Sequence, residues 1–113
     1  MGFIIANHDK VFNSNQIKYI YVEYHEFDDT YRAYVYCDSG DDIFTIFECD
    51  RKNIPQDAIY KERTMLDANA PSVIHSDDNA VANMILRGLL DIWKKANSGE
   101  TMYVPETFKD LVC

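Results

Sequence analysis

Three runs of β-branched and aromatic residues, separated by short turn-forming stretches, constrain the fold of this chain most strongly. The runs cover residues 17–24, 31–37 and 43–49, and their Val, Ile, Thr, Tyr and Phe residues are those that favour strands. The stretches between them, 26–29 and 39–42, consist mainly of Asp, Glu, Ser and Gly, as turns do. Connections this short join neighbouring antiparallel strands, so the pattern predicts two consecutive β-hairpins.

The alternation of residues within the runs also predicts how the strands pair. We expect Ile20 to lie opposite Val35 in the first hairpin and Val35 to lie opposite Ile46 in the second, because these registers collect apolar side chains on one face. The predicted core face consists of Ile20, Val22, Tyr24, Tyr31, Ala33, Val35, Cys37, Phe44 and Ile46. The opposite, aromatic face consists of Tyr19, Tyr21, Tyr34, Tyr36 and Phe47.

The second half of the sequence predicts a shorter and a longer helix. Pro55 suits the start of the shorter helix over residues 56–69, and Pro71 ends it. The longer, amphipathic helix is predicted over residues 77–97, with Ser76 as its N-cap. The polar side of the longer helix is expected to contain Asn83, Arg87, Asp91 and Lys94, of which Arg87 and Asp91 have the spacing of an ion pair.

These elements predict a single α+β domain over residues 1–113. The chain is long enough for one hydrophobic core and too short for two. The short apolar run 3–6 supplies a further strand, so we expect an antiparallel β-meander of about four strands. The long C-terminal helix should pack on one face of this sheet, with the shorter helix preceding it in the chain.

The negative charge of the sequence is concentrated in one segment. The net charge is −8 at pH 7, from 19 acidic and 11 basic residues. Residues 23–50 contain nine of the acidic residues, and Arg32 is the only base among them, so this segment accounts for the whole excess. Direct binding to nucleic acid needs a positive surface, which makes a basic protein the more suitable partner.

The cysteines do not suggest a disulfide framework. Cys37 and Cys49 lie inside predicted strands, and Cys113 is the last residue. The predicted register leaves Cys37 and Cys49 out of pairing position, so we expect both to be reduced. Since neither a secretory leader nor an apolar run of membrane-spanning length is found, the sequence predicts a cytoplasmic protein without membrane contact.

No motif in the sequence indicates catalysis, a cofactor or a metal ion. The acidic stretch 38–42 lacks the ligand spacing and terminal Glu of an EF-hand loop, and 25–26 and 75–78 are equally short matches. Solvated turns and a helix N-cap explain these stretches better. The sequence contains neither a Gly-rich phosphate loop, nor a nucleophile elbow, nor zinc-ligand spacing. We therefore expect a protein that is not an enzyme and holds no cofactor.

The aromatic face is the strongest candidate for a functional surface. If the long helix covers the core face, the aromatic face lies on the other side of the sheet. Exposed aromatic patches usually mark contacts, and Tyr supplies contact area at low entropic cost. The alternative is that the shorter helix or the C-terminal tail covers these side chains.

The two acidic turns complete the candidate site. Phe27 lies in the first turn, where folding back onto the sheet is favoured and insertion into a partner's pocket is the alternative. The carboxylates that we expect to face a partner are those of Asp28, Asp29, Asp41 and Asp42. Such charges would steer a basic protein toward this surface.

Together these features favour a non-catalytic, acidic protein-binding module. By analogy alone, inhibitor and immunity-type proteins combine small size with an acidic surface, and one that docks on a nucleic-acid-handling protein would present carboxylates where phosphates bind. Two alternatives stay open. One is a structural homodimer joined through the aromatic face, and the other is a small enzyme or ligand carrier with a site between sheet and helix.

Overall fold

The computed structural model describes residues 2–7, 10–38, 42–73 and 75–112. Its elements, in chain order, are β1 (Phe3–Ala6), β2 (Lys10–Asn13), β3 (Ile17–His25), β4 (Thr30–Cys37), β5 (Ile43–Asp50), α1 (Gln56–Asn69), α2 (Asp77–Asn97), β6 (Thr101–Tyr103) and α3 (Phe108–Val112). Short 3-10 turns at Ser14–Gln16 and Arg51–Asn53 precede β3 and α1. The α+β fold class and both long helices are confirmed.

The described strands form two three-stranded sheets. The first is an antiparallel meander with the order β3-β4-β5. In the second, with the order β2-β1-β6, β1 pairs antiparallel with β2 and parallel with β6. The expectation that Phe3–Ala6 belongs to the meander is therefore wrong. The intervening helices carry the chain back to β1, which is what a parallel neighbour such as β6 requires.

The predicted register of the first hairpin is confirmed. Ile20 pairs with Val35, and Val22 pairs with Ala33. A bulge at Lys18 shifts the pairing where β3 begins. Ala33 and Val35 are completely buried, so β4 presents to the core the side that the alternation predicts.

The predicted register of the second hairpin is wrong. Val35 lies opposite Phe44 instead of Ile46, and Ala33 lies opposite Phe47. Between these pairs Ile46 is an extra residue, and a β-bulge of this kind turns two consecutive side chains toward the same side. Ile46 and Phe47 are both buried, at 3% and 2% exposure. Phe47 is therefore a core residue, and its assignment to the aromatic binding face is corrected.

The long helix α2 forms the centre of the core. The Ser76 hydroxyl accepts a hydrogen bond from the Asn79 amide at 3.1 Å, which confirms the predicted N-cap. The side chains that α2 buries are Ala80, Val81, Met84, Ile85, Leu89, Ile92 and Ala96. They form one hydrophobic cluster with the buried side of β4 and with β1. Burial of this stripe holds both sheets on the same helix.

An ion pair between the buried Glu62 and the exposed Arg87 attaches α1 to α2. Glu62 is 4% exposed, and its two carboxylate oxygens each accept a hydrogen bond from Arg87 at 2.8 Å. Asn83 donates a further bond to the same carboxylate. The expected pair between Arg87 and Asp91 is therefore wrong, because Arg87 turns to the buried partner and Asp91 pairs with Lys95 at 3.1 Å.

Cys37 and Cys49 are free, buried thiols. Cys37 lies opposite Ile17 and Cys49 lies opposite Tyr31, so the strand pairing keeps the two sulfurs apart. Burial raises the pKa of both thiols, that of Cys49 to about 11. Both groups should therefore remain protonated and react slowly at neutral pH.

The Glu62 carboxylate yields a pH-dependent prediction. Hydrogen bonds from Arg87, assisted by Asn83, lower the pKa of Glu62 from its ordinary value of 4.5. Its stabilising contribution is thus present above that ordinary value and is lost as the pH falls through the lower folded value. Glu62→Gln should lower the free energy of unfolding by roughly 1–3 kcal/mol at pH 7. Urea denaturation at a series of pH values should show this difference shrinking in acid.

The matched control is Asp91→Asn, which also neutralises a paired carboxylate, but one that pairs with Lys95 inside α2. The Asp91–Lys95 pair is exposed, so its loss should change the free energy of unfolding by no more than about 0.5 kcal/mol. If Glu62→Gln and Asp91→Asn had the same small effect at pH 7, the Glu62–Arg87 pair would not be what holds α1.

Candidate protein-binding face

Four tyrosines are brought together on the outer side of the β3-β4-β5 sheet. The register places Tyr19 opposite Tyr36 and Tyr21 opposite Tyr34. The ring centroids of these stacked pairs lie 5.0 Å and 5.2 Å apart, and those of Tyr19 and Tyr21 lie 5.8 Å apart. We call this surface, formed by Tyr19, Tyr21, Tyr34 and Tyr36, the tyrosine face.

The tyrosine face points away from the helices. The opposite side of β4 contacts α2, and α1 and α3 pack against α2 in turn. In the described residues, therefore, neither the shorter helix nor the C-terminal helix α3 is the element that covers the tyrosines. Tyr19 is 48% exposed, and the other three rings are half-buried. Since stacked rings shield one another, the face offers a pre-ordered aromatic surface to solvent.

The tyrosine face continues into residues of β5. Ile43, which is 51% exposed, lies opposite Tyr36, and Thr45 lies opposite Tyr34. At the other end of the face, the Tyr34 hydroxyl is hydrogen-bonded to His25 Nε2 at 2.8 Å. The predicted register would have placed Phe47 opposite Tyr34 and Thr45 opposite Tyr36, but the bulge in β5 displaces Phe47 into the core.

Charged residues border the tyrosine face. Arg32 lies between Glu23 and Glu48 in the sheet, donates to Glu48 at 2.8 Å and is ion-paired with Asp28. Lys18 lies 5.6 Å from the centroid of the Tyr36 ring.

Acidic partners already surround both cations of this border. Lys18 lies 3.3 Å from Asp38. Arg32 is paired with two carboxylates, those of Asp28 and Glu48. Segment 23–50 has nine acidic residues and one base, so most of its carboxylates have no cation of their own within the segment. The tyrosine face is therefore bordered by net negative charge.

The turn between β3 and β4 displays Phe27. Its side chain is fully exposed, so the expectation that Phe27 folds back onto the sheet is wrong. Asp28 accepts a hydrogen bond from Thr30 Oγ1 at 2.7 Å, and Asp29, at a φ of 56°, accepts one from the Tyr24 hydroxyl. The Thr30 bond and the Arg32 charge lower the pKa of Asp28, which keeps this carboxylate ionised. Both carboxylates thus stabilise the turn that holds Phe27 outward.

The second acidic turn is described only in part. Asp41 lies outside the described residues. Asp42 is exposed and borders a shallow cleft with Lys10, Phe12 and Phe44, where the two sheets approach each other. Of the predicted carboxylates, Asp28 and Asp29 therefore lie together at one end of the sheet, and Asp42 lies near the other.

A polar cluster that sequence reasoning did not identify joins β4 to the start of α2. The buried Tyr31 hydroxyl donates to Asp78 at 2.6 Å, and Arg51 lies 3.3 Å from Asp77 and 3.4 Å from Asp78. Arg63 binds Asp77 at 3.0 Å. Burial, with the Asp78 bond, raises the pKa of Tyr31, so its proton stays in place. Because these groups satisfy one another, we interpret the cluster as a structural link.

Clefts border α2 on two sides. A groove of about 240 Å³ lies between β3 and α2. A larger cleft of about 470 Å³ lies between α2, β6 and α3, with Met84, Met102 and Leu111 in its wall. Within the described ranges, no three His, Cys, Asp or Glu side chains are grouped so that they could hold a metal ion. Likewise, no helix among the described residues is long and apolar enough to cross a membrane.

Comparison with models of known protein families gives no match. Neither curated proteins nor solved structures show significant similarity to this chain. The functional argument therefore depends on the surface itself.

Two phenylalanines provide a matched test of the corrected site. Phe47→Ala should lower the free energy of unfolding by about 3–5 kcal/mol, because it empties a buried ring position. Phe27→Ala should change it by less than about 0.5 kcal/mol, because that ring contacts solvent only. Chemical denaturation of the two variants measures the contrast. Similar losses in both variants would contradict the bulged register.

Proposed function

We propose that this chain is a non-catalytic, acidic protein-binding module that docks on a basic protein. The tyrosine face supports this proposal most directly, because stacked and partly exposed rings lie in the middle of a negatively charged surface. In this function the cytoplasm is the working compartment, and an inhibitor of a nucleic-acid-handling protein is the favoured form.

The rings would supply most of the affinity. A Tyr side chain has few rotatable bonds, and each ring on this face is already stacked on a neighbour 5.0–5.2 Å away. Little conformational entropy remains to be lost when a partner covers the surface. Aromatic residues of this kind are enriched among those that dominate binding energy.

The carboxylates would supply steering and partner choice. A basic protein approaching segment 23–50 meets an excess of eight negative charges. Long-range attraction of this kind raises the association rate and weakens as salt is added. Carboxylates spaced along a sheet can also occupy the cationic positions that would otherwise bind phosphates, which favours a nucleic-acid-handling partner.

Phe27 would act as an anchor at the end of the surface. Hydrogen bonds to Asp28 and Asp29 order the turn that carries the ring, and the ring itself projects into solvent. Burial of an exposed Phe ring in a partner's apolar pocket contributes about 1.5–3 kcal/mol.

The test of this function begins with a partner captured on the immobilised protein from host lysate at low salt and identified by its mass. Glu23→Gln, Glu26→Gln and Asp42→Asn remove three exposed charges without touching the hydrogen bonds of the turn. This triple variant should slow association with the purified partner by roughly three- to tenfold and flatten its salt dependence. Surface plasmon resonance at several salt concentrations measures both effects.

A second triple variant, Asp57→Asn, Asp67→Asn and Asp110→Asn, is the matched control. It removes the same number of exposed carboxylates from α1 and α3, away from the tyrosine face. Its association rate should stay close to that of the wild type. If both triple variants slowed association equally, only net charge would matter and the proposed surface would be wrong.

Truncating a ring should act on dissociation instead. Tyr21→Ala removes a ring from the middle of the face and should speed dissociation in proportion to a loss of roughly 1–3 kcal/mol. Tyr60→Ala on α1, where the ring is 72% exposed, is the control and should leave dissociation unchanged. Unfolding of both variants is measured in parallel. A stable Tyr21→Ala variant that binds like the wild type would exclude the tyrosine face as the contact surface.

A further inference from the structure

The core beneath β3 is incompletely covered. Ile20 and Val22 point to the same side of the sheet as Val35 and Ala33, but they remain partly exposed while their β4 partners are completely buried. The cause is their position, because β3 is the edge strand of the β3-β4-β5 sheet. The apolar side of the meander therefore has room for one more strand beside β3.

The helix beside this edge, α2, also has apolar side chains that no strand covers. Leu86, Leu90 and Trp93 of α2 form a groove of about 240 Å³ together with Lys18, Tyr19 and Ile20 of β3. Leu90 is 45% exposed. The apolar stripe of α2 thus extends beyond the last strand that covers it, and an additional strand along β3 would lie over it.

The two edges of the sheet differ in how they are protected. The opposite edge strand, β5, is interrupted by the bulge at Ile46, has acidic side chains at Glu48 and Asp50, and its Thr45 carbonyl accepts a bond from Asn7 at 3.1 Å. Bulges and charges of this kind discourage strand addition.

The middle of β3, residues 19–22, has no such protection. It contains neither a charge nor a proline, and the nearest bulge lies before it. Among the described residues, the backbone of β3 pairs only with β4. Its outward N–H and C=O groups are therefore available to another strand.

We propose that this edge pairs antiparallel with the β3 strand of a second copy of the chain, forming a continuous six-stranded sheet about a two-fold axis. The groove requires a strand with apolar side chains toward the helix and aromatic rings on the other side. β3 has this pattern, since Ile20 and Val22 point inward while Tyr19 and Tyr21 point outward. A surface that is its own complement is what a two-fold interface needs.

The charges on β3 determine the direction of pairing. Its base, Lys18, lies near the start, and Glu23 lies near the end. Antiparallel pairing brings the base of each copy toward the acid of the other, whereas parallel pairing would place like charges together. The same axis brings Leu86 and Leu90 of the two copies together on the helical side. Tyr34 and Tyr36, which lie on β4 one strand away from the paired edge, would stay uncovered in each copy.

This assembly does not depend on the proposed function, because it is argued from the β3 edge and the groove of α2, and not from a basic partner. Sedimentation velocity and light scattering over a dilution series up to about 100 μM should show a dimer that dissociates on dilution. Leu90→Glu, placed in the groove, should raise the dimer dissociation constant at least tenfold. Ile43→Glu is the control, since it is similarly exposed but lies beside Tyr36 on the tyrosine face, and it should leave that constant unchanged.

Hydrogen exchange supplies a second readout at the backbone. Amides within residues 19–22 should exchange more slowly at the highest concentration than after dilution to monomer. A protein that stays monomeric over the whole series would overturn the proposal. A dimer broken by Ile43→Glu and not by Leu90→Glu, or one without concentration-dependent protection of β3, would overturn it as well.

Discussion

Burial of one side of β4 is the constraint on which the rest of the structure depends. The side chains of this central strand that face the helix are Tyr31, Ala33, Val35 and Cys37, and all are buried. Those between them are Arg32, Tyr34 and Tyr36, which are partly exposed. Because a shift by one residue would exchange the two sets, the core under α2 and the tyrosine face are two consequences of the same pairing.

The sequence contains enough information for the regular parts of this fold. The first hairpin follows from alternation over 17–24 and 31–37, and both long helices follow from proline, an N-cap and apolar spacing. The bulge in β5 does not follow, because Ile46 and Phe47 are both apolar and either one could face the core. The predicted pairing of β5 with β4 is wrong for this reason, and Phe47 moved from the candidate site to the core.

Other features arise only from contacts between distant segments. Glu62 looks like an ordinary polar residue of α1, and it is buried only because α2 offers Arg87 and Asn83 at the contact. The β1 strand is short, and it pairs with β6, which lies almost the whole chain away. Reasoning from short connections between neighbouring strands therefore assigned β1 to the wrong sheet. Phe27 remains exposed because Asp28 and Asp29 hold the turn outward, which the acidic composition alone does not reveal.

The direct measurement of the β4 register is the solvent accessibility of individual tyrosine rings. Fluorotyrosine-labelled protein, with resonances assigned by single Tyr→Phe substitutions, can be titrated with a soluble paramagnetic agent. The register predicts strong broadening for Tyr19, comparable to that of the exposed Tyr60, intermediate broadening for Tyr34 and Tyr36, and the weakest for Tyr31, which is 1% exposed. Strong broadening of Tyr31 together with protected Tyr34 and Tyr36 would mean that β4 faces the other way, and the tyrosine face would not exist.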